Sequence, residues 1–325
     1  MLLEIFFFAA GLALLVKGAD WLVDHSAHLA RTIGISPLII GLTVVAFGTS
    51  LPEMVVSTFA AVKGSADISI GNIVGSNIAN IGLILGISAL IRVLPIQLST
   101  LIYEMPFLLV SAFLLMLLSN DRNLFLHESF TLSRIDGLIL LAMFGLFLLY
   151  IIRNAREQQQ EAAVKKEYGK KYGKKHLLWK DIALIGAGLT ALIIGGRIVV
   201  DNAVKIALGL GISEAFIGLT IIAVGTSLPE LMTSLVAAYK KQADIAVGNI
   251  VGSNIFNILL ILGVSSLIAP LTVNPIMLFV DMTIMVLFSI ALLAFVTTGR
   301  RITRGEGAVL LLGYVAYIGY LIYTI

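Results

Sequence analysis

The stretch GLTVVAFGTSLPEMVVSTFAAVKGSADISIGNIVGSNIANIGLILG, residues 41–86, returns at residues 218–263 as GLTIIAVGTSLPELMTSLVAAYKKQADIAVGNIVGSNIFNILLILG. The copies align without a gap at an offset of 177, with about two-thirds of the positions identical. A weaker likeness runs upstream. Gly34-Ile35-Ser36 matches Gly211-Ile212-Ser213, and Asp24 matches Asp201. Each copy sets a helix-breaking proline and a carboxylate, Pro52-Glu53 and Pro229-Glu230, inside a long apolar run.

The surroundings of both copies are built for lipid. The 325 residues are 59% hydrophobic and 13% charged, with a mean hydropathy of +1.03. A soluble domain is nearer half apolar and a quarter charged. Apolar runs long enough to span a bilayer recur from end to end. Ten are expected, at about 2–23, 36–62, 68–91, 100–119, 135–152, 178–200, 213–239, 245–268, 275–297 and 306–323. The first lacks a positive leading region and carries Glu4, so it reads as a retained span rather than a cleaved signal. There is no cysteine, which excludes disulfides, thiolate metal sites and thiol redox chemistry. The net charge of +3 does not imply nucleic acid, because the basic residues sit in short loops beside the spans.

Five spans separate equivalent points of the two copies. Five is odd, so the second copy crosses the membrane in the opposite sense, the inverted-topology arrangement common in secondary transporters. The expected fold is an all-α polytopic membrane protein of ten helices in two five-helix repeats, 1–152 and 178–325. Residues 153–177 form a polar, strongly basic linker, expected to be partly helical or disordered. Placing that linker in the cytoplasm puts the basic residues inside over outside by roughly three to one. Both termini then lie outside.

Interrupted spans in matching positions of two halves point to the transport site. An ionisable group at mid-membrane costs about 2.5–3.5 kcal/mol on insertion scales, so it needs a partner or a watery cavity. No buried cation matches Glu53 or Glu230; Lys17, Arg197 and Lys205 lie nearer span ends. Two repeat-related carboxylates without basic partners suit a bound metal cation, against the blander reading of protonated groups satisfied by neighbouring helices. Thr49 and Ser50 lie four and three residues before Glu53, on its helical face, as do Thr226 and Ser227 before Glu230. Pro52 and Pro229 should bend or unwind their helices, freeing carbonyls near Ala46 and Ala223. In the second segments, Ser76 and Asn80 share a face, as do Ser253 and Asn257. Back-bonding competes with ligation for the hydroxyls, and interhelical hydrogen bonding competes for the amides. Asn77 and Asn254 point about 100° away and suit bonding to helix ends. The glycines of these segments, among them Gly71, Gly75, Gly82, Gly86, Gly248, Gly252 and Gly263, suit close helix packing.

The resulting ligand set is all oxygen, which selects calcium, magnesium or sodium over zinc or copper. Many irregular oxygens favour calcium over magnesium, with sodium close in size. His25, His28, His127 and His176 form no ligand cluster in the sequence and read as interfacial residues. Asp20, Asp24 and Asp201 read as span-end groups. Asp67 and Asp244 read as helix N-caps or dipole partners.

The two GTSLPE and two GNIVGSNI motifs resemble the α-repeats of the cation/calcium exchanger superfamily, most closely its sodium/calcium exchangers of prokaryotic type. The resemblance implies a core of spans two, three, seven and eight around the ions, with spans one and six as long tilted helices that slide across it. It implies calcium and sodium binding by Glu53 and Glu230. Hydroxyls and amides would come from Thr49, Ser50, Ser76, Asn80, Thr226, Ser227, Ser253 and Asn257, and backbone carbonyls from Ala46 and Ala223. Some members carry Asp where this chain has Asn257. The amide here argues against potassium cotransport and leaves two formal charges at the site. The large cytoplasmic calcium-sensing insert of some members is absent.

The expected function is therefore electrogenic sodium/calcium antiport by alternating access at the cell membrane, with Ca2+ and Na+ as transported ions, no resident cofactor and no enzymatic chemistry. Calcium/proton exchange on the same scaffold is the rival reading. A cation channel fits the inverted repeat poorly, and no Ser/His/Asp or His-rich metal motif supports a membrane hydrolase.

Overall fold

A computed structural model of the chain describes residues 2–120, 130–167, 178–210 and 225–324. Among these, eight helices are long and apolar enough to cross a membrane, and a ninth crossing is made by two helices bent by 48° at their junction. The helices are α1 (Leu2–Ile33), the broken pair α2 (Pro37–Thr49) and α3 (Leu51–Val62), α4 (Ala66–Ile91), α5 (Thr100–Leu118), α6 (Arg134–Glu167), α7 (Leu178–Gly209), α8 (Leu228–Tyr239), α9 (Ala243–Ile268), α10 (Met277–Gly299) and α11 (Arg304–Tyr323). The first half of the span expected at 213–239 lies outside the described residues. Its second half is α8. Helices α1 and α7 run about ten residues past the expected span ends, because hydropathy falls at their charged turns while the helical backbone continues.

Local sequence accounts for where several helices start and break. Ser36 caps α2 by accepting from the Ile39 amide, with Pro37 in the first turn. Thr303 and Glu306 form a reciprocal capping box at the start of α11. At the GTSLPE break, Ser50 leaves the helical region at φ −81°, ψ 4°. Pro52 has no N–H to return to the Gly48 carbonyl. The chain bends there without unwinding. The Ser50 amide still bonds the Ala46 carbonyl (3.0 Å), so that carbonyl is not freed as the sequence suggested.

Helices α4 and α9 form the centre. Most of their spanning windows are buried, 78% and 94%, against 22–39% for the other long helices. The outer helices show Phe, Leu, Ile and Val to the surroundings, as lipid-facing surfaces do. Both central helices pass through a π-helical turn at matching places, Asn80–Leu85 and Phe256–Leu262. A second matched pair of π turns opens α5 and α10, at Thr100–Glu104 and Met277–Asp281. Such bulges recur at functional sites.

Short antiparallel ladders bind the halves together at the loops. Strand β1 (Leu94–Pro95) pairs with β4 (Arg301–Ile302), and β2 (Thr131–Leu132) pairs with β3 (Leu271–Thr272). Each ladder joins one half of the sequence to the other.

Helices α1 and α7 lie antiparallel and make their closest contacts through glycine. A Cβ on Gly18 would stand 2.8 Å from the Gly188 carbonyl, and one on Gly11 would stand 3.1 Å from the Gly195 carbonyl. Small residues permit this backbone approach, which gives helix association in lipid its dispersion energy. The Gly18→Leu variant is expected to separate the pair at a cost of about 1–3 kcal/mol or more. A thermal-unfolding scan in detergent should register this as a clear fall in Tm.

Candidate ion-binding site

The two GTSLPE breaks and the two GNIVGSNI segments converge. Glu53 on α3 and Glu230 on α8 are fully buried. Each carboxylate is held by one serine from its own half and one from the other. Glu53 Oε1 accepts from Ser76 (3.3 Å) and Ser227 (3.1 Å). Glu230 Oε1 accepts from Ser253 (3.5 Å) and Ser50 (3.1 Å). The Ser227 and Ser76 hydroxyl oxygens stand 3.0 Å apart.

The amides form a two-fold ring. Asn77 and Asn254 each donate to the other's backbone carbonyl, both at 3.3 Å. Their side-chain oxygens accept from Asn257 (3.0 Å) and Asn80 (2.8 Å) respectively. Asn80 and Asn257 thus spend their N–H groups within the ring, which turns their oxygens away from it. Asn77 and Asn254 do not bond helix ends, as the sequence suggested, but each other's mid-helix carbonyls, and their oxygens orient the amides of Asn257 and Asn80.

The consequence is a set of buried oxygens with nothing donating to them. Among the described residues, Glu53 Oε2, Glu230 Oε2, Asn80 Oδ1 and Asn257 Oδ1 lack a hydrogen-bond partner. A buried unsatisfied acceptor is costly, and four in repeat-related pairs call for a cation. Two carboxylate and two amide oxygens are hard donors that fit calcium and sodium.

Of the expected site residues, Thr49, Ser50, Glu53, Ser76, Asn80, Thr226, Ser227, Glu230, Ser253 and Asn257 all take part in this network. The Ala46 carbonyl adjoins it, accepting from its own helix, with the Thr49 and Ser253 hydroxyl oxygens 3.3 and 3.5 Å away. Ala223 lies outside the described residues. The threonine hydroxyls donate across the halves, Thr49 to Asn249 (3.1 Å) and Thr226 to Asn72 (3.3 Å).

Sequence reasoning missed Asn72 and Asn249. Their amide nitrogens brace the breaks by donating to the backbone carbonyls of Glu53 and Glu230 and to Ser57 and Ser234. Their duplication within the quoted GNI segments was the available signal. It also missed a second pair of membrane acids at the same offset. Glu104 on α5 accepts from the Tyr150 hydroxyl (2.6 Å), and Asp281 on α10 accepts from that of Tyr317 (2.9 Å).

Three further readings are refined. Asp67 and Asp244 lie in the first turns of α4 and α9, where their charge complements the helix dipole, and not at the caps, which are Ser65 and Gln242. Asp244 accepts from Gln97 (2.8 Å). His25 and His28 are not merely interfacial, because both imidazoles bond Asp181 at 2.7 Å and join α1 to α7. His127 and His176 lie outside the described residues. Asp20 and Asp24 bind Lys240.

A cavity of about 470 Å³ runs down one face of α4, past Asp67, Asn72 and Ser76, to Thr226. Asp281 and Tyr317 line its far wall. At the opposite face, α9 packs tightly on α2. A Cβ on Gly252 would meet the Leu42 carbonyl at 2.7 Å, and one on Gly248 would meet the Leu38 carbonyl at 2.8 Å.

A multi-pass helical bundle that encloses an acidic, all-oxygen site at the meeting of two repeated, broken helices is a membrane cation transporter. The sodium/calcium exchanger protein family profile matches residues 3–153 and 180–323, and the chain belongs to that family. It is 36% identical to the sodium/calcium exchanger MaX1 of Methanosarcina acetivorans, over 96% of this chain and 97% of that one. It is 38% identical to the putative antiporter CaxA of Alkalimonas amylolytica, over 98% of each chain. A solved structure of the sodium-calcium exchanger NCX_Mj superposes with a TM-score of 0.83 at 35% identity, covering 98% of this chain and 99% of that one. The family is one of cation exchangers, which are transporters and not enzymes.

Two outcomes follow for the site. Glu53→Gln and Glu230→Gln should each abolish exchange while the protein elutes as a single folded species. Asn77→Ala removes the acceptor that orients Asn257 without touching a carboxylate. It should weaken calcium binding by about 10–100-fold, the usual cost of losing an orienting partner, as read by calorimetric titration.

Proposed function

We propose that the protein exchanges calcium for sodium across the cell membrane by alternating access. The observation that carries this reading is the paired set of undonated oxygens on Glu53, Glu230, Asn80 and Asn257. Two carboxylates balance one calcium or two sodium ions. A third sodium makes each cycle electrogenic, coupling calcium export to the membrane potential at about 2.3 kcal/mol per charge per 100 mV. The amide at Asn257 supports potassium independence. Its Nδ2 donates to Asn77 Oδ1, a bond that an ionised aspartate could not make.

On this reading the ten spans form two five-helix repeats of opposite sense, residues 1–152 and 178–325. The linker at 153–177 is cytoplasmic and both termini are outside. Ala223, the repeat counterpart of Ala46, contributes a carbonyl to the site. The cavity along Asp67 then opens to the outside.

The deciding experiment uses protein reconstituted into vesicles. Sodium-loaded vesicles diluted into sodium-free medium should take up calcium-45, and a valinomycin-clamped potential should change the rate. Uptake driven by a proton gradient and indifferent to sodium would replace this reading with calcium/proton exchange.

A further inference from the structure

Lys240 caps the C-terminal end of α8 and reaches to α1, where it pairs with Asp20 and with Asp24 at 2.7 Å. It is partly buried, 24% exposed. Helices α1 and α7 pack closely on each other, and their shared apolar cluster also takes in Ile40 and Val45 of α2, Ala237 of α8 and Ile245 of α9. Their histidine–aspartate contacts stay within the pair. Lys240 thus ties this two-helix unit by ion pairs to α8.

The repeat offset carries this arrangement to a second place. Adding 177 to Asp24 gives Asp201, and adding it to Lys63 gives Lys240. The backbones agree, since the residue after each lysine is left-handed, Gly64 at φ 73° and Lys241 at φ 65°. The two places lie on opposite faces. Helices α1 and α7 are antiparallel, with Gly11 beside Gly195, Gly18 beside Gly188 and His25 beside Asp181, so Asp24 and Asp201 stand at opposite ends of the pair. Here the second contact is not made. Lys63 is exposed with no ion pair among the described residues, and Asp201 is approached only by Arg197 of its own helix, at 3.8 Å.

We propose that Lys240–Asp20/Asp24 and Lys63–Asp201 are alternating latches that position the α1–α7 unit, each made when the site is closed to its own face. The cavity supports this assignment. It reaches the site from the Lys63 face, where the contact is broken, while α9 is packed against α2 at the Lys240 face, where it is made. The latches are unequal. The counterpart of Asp20 is Arg197, so the Lys63 latch has one carboxylate where the other has two, and an arginine competes for it. The resting protein therefore favours the conformation seen here. The proposal rests on the alternating-access reading, and its test needs no transport.

The chain has no cysteine, so introduced pairs react alone. Lys63→Cys with Asp201→Cys should be bridged slowly by a short bis-methanethiosulfonate reagent, which captures the second latch when it forms. Adding Lys240→Gln should raise the bridged fraction by roughly two- to fivefold, because removing one latch shifts the population toward the other. Asp20→Asn with Asp24→Asn breaks the same contact from the α1 side and should act alike, covering the case in which Lys240→Gln fails to elute as a single species. A bridged fraction of zero in every background, or one indifferent to both ways of breaking the Lys240 latch, overturns the proposal. Calcium-45 exchange on the same preparations is read separately, so a failure of the transport reading would show there while the cross-link response persisted.

Discussion

Two carboxylates stand in the membrane interior with no cationic side chain among the described residues to neutralise them. Burying a charge without a partner is the most expensive act a membrane protein performs. The arrangement around Glu53 and Glu230 meets that cost in part. Serines from both halves donate to one oxygen of each, and the bend at Pro52 and the start of α8 beside Pro229 bring the two carboxylates together. The other oxygen of each carboxylate has no hydrogen-bond donor. The fold thereby makes a cation part of its own polar accounting, and this is why exchange, rather than simple release, suits the architecture. A site that gives up one ion without taking another exposes its carboxylates to each other.

The amide ring serves the same end. Asn77 and Asn254 fix which end of Asn80 and Asn257 points out of the ring. An amide free to flip would present N–H to a cation half the time. Two-fold pairing removes that freedom at both amides with one structural device, and the α4 and α9 backbones are fixed together by it.

Much of this was legible in the sequence because the chain repeats itself. The doubled GTSLPE and GNIVGSNI segments named the carboxylates, the hydroxyls and Asn80 and Asn257, and hydropathy named the spans. The repeat shows which residues are equivalent, but it does not show what lies against them. Thr49 meets Asn249 rather than its own equivalent Thr226, and Ser50 meets Glu230. Such contacts cross the halves between non-equivalent positions, and nothing in the spacing of either copy encodes them. The pairing of His25 and His28 with Asp181 was hidden for the same reason, since the partners are more than 150 residues apart. The intact backbone at Ala46 was hidden for another: proline predicts a lost hydrogen bond, and whether the chain bends or unwinds in response depends on the packing of α2 against α9.

The small ladders at the loops have a consequence for how such a chain comes into being. Leu94–Pro95 finds its strand partner in Arg301–Ile302, and Leu271–Thr272 finds its partner in Thr131–Leu132. The main apolar cluster likewise draws on both halves. A ribosome delivers the first repeat to the membrane well before the second exists. During that interval the early strand has no edge to join, and Glu53 lacks the serine that Ser227 will bring. The repeat is thus a unit of sequence without being a unit of assembly, and the final helices must arrive before the earliest ones can settle.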